Sequence, residues 1–271
     1  SLTVTGDAVF GNDSGDDLSD LGTLSVSGTT AIHASAVTSM GAQTYTGAVI
    51  VGNDTTLTTT NSDVSFGASV DSEGAEANDL TVAAGTGNLT VSGAVGGTAA
   101  LGAVNVVSAN DVTLAAVDAA IFTQQAGSGT TTLGGAVNLS GNLAFTGNDL
   151  TVNDVANLGG DLTFTGHDLA VNAAANVGGT TTITNAGTFS TLALGDITST
   201  GAFTQNGVGS NTLAGDITTG NADISFQSAV TLAGDLAMST GTGAGNVTFS
   251  GTVDSAVDGN LDTLAHDLTI S

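Results

Sequence analysis

LAFTGNDLTVNDVANLGGD at 143–161 is followed directly by LTFTGHDLAVNAAANVGGT at 162–180, and the two blocks agree at 12 of 19 positions. Within each block, short alternating runs such as LAFT, DLTV and VANL are separated by Gly, Asn or Asp. Period-2 runs of this length broken by turn formers are strands. Three such strands in a 19-residue repeat fit one coil of a three-sided β-solenoid, with Val, Leu, Ile and Phe facing inward and Thr, Ser and Asn facing outward.

The same wording recurs along the chain. NDLTV stands at 78–82 and 148–152, HDLAV at 167–171 and HDLTI at 266–270. A second phrase appears as DVSFGASVDS at 63–72, DISFQSAVTL at 223–232 and NVTFSGTVDS at 246–255. The last two lie 23 residues apart, so the repeat drifts between 19 and 23 residues. A fixed repeat of this size marks a solenoid. Over 271 residues it predicts an all-β, right-handed parallel β-helix of roughly 12–14 coils, organised as a single segment, 1–271, and one unit of a longer array. The phrase copies are expected to mark one corner on successive coils, with Phe145 over Phe164 and Phe226 over Phe249 as core ladders.

Composition agrees with that architecture. The chain contains no Pro, which would interrupt a ladder of hydrogen bonds between coils, and 40 Gly, which suit tight corners of positive φ. Four stretches break the rhythm and read as longer corner loops: GNDSGDDLSDLG at 11–22, SEGAEAND at 72–79, TQQAGSG at 123–129 and STGTGAG at 239–245.

Charge narrows the function. There is no Lys or Arg, and only Glu73 and Glu76 among the 25 acidic residues are glutamate, giving a formal charge of −25. Phosphate recognition relies on Lys and Arg, so nucleic acid and anionic membranes are excluded as partners. Only His33, His167 and His266 offer a neutral base, and two of them occupy the position that Asn fills in NDLTV. Catalysis is not expected. Absence of Cys fits an exported protein, and a start at Ser1 without Met or a signal segment fits a mature or excised piece.

Stacked acids ask for cations. If Asp149 and Asp168 occupy equivalent places in successive coils they lie roughly 5 Å apart, a repulsive pair unless a cation sits between them. Carboxylates, Asn side chains and corner carbonyls are hard oxygen donors, which points to Ca²⁺. The densest acidic group, Asp13, Asp16, Asp17 and Asp20, is a second calcium candidate. The chain's two ends are expected to pair with another copy or a further repeat, head to tail: Ser1, Leu2, Thr3 and Val4 at one end, Leu268, Thr269, Ile270 and Ser271 at the other.

TGAVIVGNDTTLTTTNSDVSF at 46–66 and DLTVAAGTGNLTVSGAVGGTAALG at 79–102 resemble the β-strand-repeat regions of large bacterial surface exoproteins, similar to filamentous-haemagglutinin-like adhesins and autotransporter passengers. The resemblance implies a right-handed β-helix, export, and a place on the cell surface or in an extracellular matrix. It carries over no catalytic residues. The expected function is therefore structural, in an extracellular filament, surface fibre or matrix. The alternative is an adhesin that binds a host ligand or glycan through its irregular loops, although glycan faces often use exposed aromatics and Tyr45 is the single Tyr, which favours the structural role.

Overall fold

A computed structural model describes residues 1–74, 76–256 and 266–271. Ala75, inside the 72–79 loop, lies outside the described residues. The chain forms a right-handed parallel β-solenoid of about 13 turns, with three strands per coil and no helix among the described residues. It divides into two compact units, Ser1–Ser140 with Thr146–Asn148, and Gly141–Phe145 with Asp149–Ser271.

In the first unit, one sheet runs Leu2–Val4, Leu24–Val26, Gln43–Tyr45, Val64–Phe66, Leu89–Val91, Val112–Leu114 and Thr130–Leu133, every neighbour parallel and in register. A second side starts with Ala8–Phe10, Thr30–Ile32, Val49–Val51 and Val70–Ser72. The third contains Asp17–Leu21, Ala36–Ser39, Thr55–Thr59, Leu80–Ala83 and Leu101–Ser108. The 11–22 stretch is thus partly strand, and the register slips between Leu18 and Leu21 where Asp20 adopts a φ of 59°.

The second unit repeats the plan. One sheet is Asp149–Val152, Leu169–Val171, Thr188–Thr191, Ser210–Leu213, Val230–Leu232 and Val253–Ser255. Another is Ala156–Leu158, Ala175–Val177, Ile197–Ser199, Ile217–Thr219, Leu236–Ser239 and Leu268–Ile270. The third includes Leu162–Gly166, Thr181–Asn185, Phe203–Gln205, Ile224–Phe226 and Val247–Phe249.

The repeated phrases therefore do not all mark one corner. Leu150 pairs Leu169 as expected, but Leu268 pairs Leu236 in a different sheet of the same unit. The three sides of a coil pose the same local problem, an Asx corner followed by an alternating strand. One phrase solves it on any side.

The core is built from ladders. Phe145 and Phe164 stack with ring centroids 5.3 Å apart and planes 3° from parallel, and Phe226 and Phe249 stack at 5.6 Å. Tyr45 and Phe66 form a further pair at 5.1 Å. The interior is not wholly apolar, as the sequence suggested. Thr55, Thr181, Gln43, Gln205 and Asn185 are buried, because inward polar side chains at strand ends meet backbone carbonyls or one another. The Gln43 amide donates to the carbonyls of Val37 and Thr58, and the Gln205 amide donates to Asn185 Oδ1 at 2.7 Å. Satisfied in this way, they cost far less than bare polar groups in a core.

Glycine has a second cause beside the positive-φ corners expected. Six described glycines have φ in the left-handed region. At Gly28 and Gly47 the constraint is instead stacking, since a Cβ would lie 2.4 Å from the backbone of Gly6 and Gly28 in the preceding coil.

Candidate functional site

Leu150 lies opposite Leu169, and this register stacks Asp149 under Asp168. Neither carboxylate is idle. Asp149 Oδ1 accepts the Asp168 amide N–H at 3.1 Å, and Asp168 Oδ1 accepts that of Thr188 at 2.5 Å. The same relay links Asp54 to Asp79 and Asp79 to Ala103, at 2.9 and 2.6 Å, and Asn142 to Asp161 and Asp161 to Thr180, at 2.8 and 2.7 Å. Asp196 and Asp216 continue the pattern onto Ala237. Each Asx before a strand pins the backbone of the next coil. Such N–H groups stabilise the ionised carboxylate. At Asp7 the Thr29 hydroxyl, followed by the Thr29 amide, holds the carboxyl below its usual value.

This role escaped the sequence reading, although its signal was present: Asp or Asn placed directly before an alternating run, copy after copy. The backbone amide of the coil that follows is thus one partner of each stacked Asp.

His167 completes a cluster. Its Nδ1 lies 3.6 Å from Asp149 Oδ1 and 3.2 Å from Asp168 Oδ1. The three ligand atoms fall within 4.8 Å of one another, and all three side chains are open to solvent in part. In the coil that follows, Gly187 donates its N–H to the His167 carbonyl at 2.8 Å. A Cβ there would lie 2.2 Å from Asp168 Oδ1 and 2.7 Å from His167 Nδ1. The other two histidines each approach one carboxylate, His33 that of Glu73 at 3.5 Å and His266 that of Asp235 at 3.8 Å.

The four acids at 13–20 are placed differently. Asp13 Oδ1 accepts the Gly15 N–H and Asp16 Oδ2 that of Asn12, both at 2.8 Å, so these two shape the turn. Asp17 accepts from the Ser35 hydroxyl at 2.8 Å in the next coil, and Asp20 is exposed. The only gathered metal-ligating group among the described residues is Asp149, His167 and Asp168.

At the ends, Leu2–Val4 pairs Leu24–Val26, and Leu268–Ile270 pairs Leu236–Met238. Leu2 donates its N–H to Thr23, and Ser271 donates to Met238. Neither strand has a partner on its other side among the described residues.

Tyr45 is fully buried, its hydroxyl donating to Gln43 Oε1 at 3.0 Å, and burial pushes its phenol far above the usual value. It presents no aromatic platform to a glycan. No family model, curated protein or solved structure matches the chain.

Proposed function

We propose that this chain is a structural component of an extracellular bacterial filament, surface fibre or matrix, of the same kind as the β-strand-repeat exoproteins its repeats resemble. Its task is mechanical. Ladders of inter-coil hydrogen bonds, stacked core side chains and Asx relays hold it together, and cations drawn to the Asp rows, calcium among them, offset the charge. The observation that carries this reading is the parallel, in-register stacking of coil on coil, whose outermost strands among the described residues, Leu2–Val4 and Leu268–Ile270, each have one unpaired side that a further coil can extend. An unpaired row of N–H and C=O groups recruits another strand, and a head-to-tail contact that does not close makes a filament.

Because both ends belong to a chain of formal charge −25, association is expected to strengthen with ionic strength. Leu2 donates inward, so the alternation of a parallel ladder points the Thr3 N–H outward. Thr3→Pro removes that donor without touching the internal ladder. Light scattering and electron microscopy of the chain at rising salt should show end-to-end particles for the parent and loss of them in Thr3→Pro, with unchanged melting. Single units alone at every concentration and salt would overturn the proposal.

A further inference from the structure

The cluster at the 143–180 repeat has a property that a solvated acidic face lacks: an imidazole nitrogen stands at metal-ligand spacing from two carboxylate oxygens. In a tetrahedral site with bonds of about 2.0–2.1 Å, neighbouring ligand atoms stand about 3.3 Å apart. His167 Nδ1 stands 3.2 Å from Asp168 Oδ1 and 3.6 Å from Asp149 Oδ1. The geometry points to a divalent-cation site of the zinc class, with Asp149, His167 and Asp168 as three protein ligands and a solvent molecule in the fourth position.

Three further observations converge on it. First, the donor set is mixed. Calcium takes six to eight oxygen ligands, whereas an imidazole nitrogen with two carboxylates suits Zn²⁺, Co²⁺ or Ni²⁺. His167 thus turns a pair that looks like a calcium site in sequence into one with a different preference. Second, both ligand oxygens are fixed by hydrogen bonds from the backbone, Asp149 Oδ1 by the Asp168 amide and Asp168 Oδ1 by the Thr188 amide, the outer-shell support that metal ligands need. Third, the residue stacked on His167 in the next coil brings no side chain. The coil position that carries Asn148 and then His167 carries glycine at 187, and any Cβ there would collide with the Asp168 oxygen and the imidazole. Among the described residues, neither His33 nor His266 is gathered with two carboxylate oxygens in this way.

The test uses the full chain without an affinity tag, titrated with Co²⁺ and followed by its visible d–d absorption, then with Zn²⁺ in competition and by calorimetry. One equivalent per chain is expected, displaced by Zn²⁺ and not by a tenfold excess of Ca²⁺. His167→Asn, which restores the residue found at Asn148, should fold normally and weaken binding about tenfold or more. Asp168→Asn should weaken it as well, and the double variant His33→Asn, His266→Asn should bind as the parent does. Absence of stoichiometric binding, binding indifferent to His167→Asn, or displacement by Ca²⁺ would each overturn the assignment. The first outcome would leave His167 as an ion-pair partner of the two aspartates alone.

Discussion

Asp7 shows in one residue how this chain uses its acids. Its Oδ1 accepts both the amide and the hydroxyl of Thr29 at 2.8 Å, one coil on. The bonds favour the ionised form, so the folded carboxyl sits below its ordinary value of 3.8. The sign follows from linkage: the contribution is complete above that ordinary value and is lost as pH falls through the lower, folded one. Asn at this position keeps an acceptor oxygen and cannot titrate. Asp7→Asn should therefore melt close to the parent at neutral pH and lose less stability than the parent on acidification below pH 3.8, measured by thermal unfolding across pH. An identical pH dependence in both proteins would remove Asp7 from the account. In the sequence alone Asp149 and Asp168 are legible as a stacked pair, since the repeat aligns them. The amide that each one holds is not, because a hydrogen bond to the next coil depends on which strand lies above.

Among the elements, the ladder is the unit of stability. Phe164 is fully buried and stacks on Phe145, and its strand Leu162–Gly166 pairs Thr181–Asn185 along five residues. Truncating a buried Phe removes apolar contact and leaves a cavity that stacked coils cannot easily close. Phe164→Ala should cost about 3–5 kcal/mol in denaturant unfolding. A loss under about 1 kcal/mol would mean that the ladder repacks around the gap. Strand existence was readable from the alternation of LTFT and DLAV, but the side of the coil to which a strand belongs was not. HDLTI and HDLAV differ by two letters and sit in different sheets. Nor did alternation disclose Gln43 and Gln205 as interior residues, because partners such as Thr58 and Asn185 come from other strands, remote in sequence.

For the molecule as a whole, charge is the standing cost. With −25 formal charges and three histidines as the sole side-chain bases, each inter-coil Asp stack lies well inside the Debye length of about 10 Å at 0.1 M salt. The melting midpoint should climb as NaCl is raised from low ionic strength, and climb further in CaCl₂ at matched ionic strength, where divalent ions collect along the rows. A midpoint indifferent to both salts would show that the backbone amides alone suffice. By itself the sequence determined the class of fold, through strand-length alternation, a repeat of 19–23 residues and the absence of Pro, and it determined the electrostatic character and the core Phe stacks. These are local or periodic properties. Only the tertiary structure decided which strands share a sheet, that the Asp residues pin the next coil's amides, and that His167 closes on two carboxylates beneath Gly187. Each of those depends on register between coils, and register is fixed by packing along the stack rather than by any one repeat.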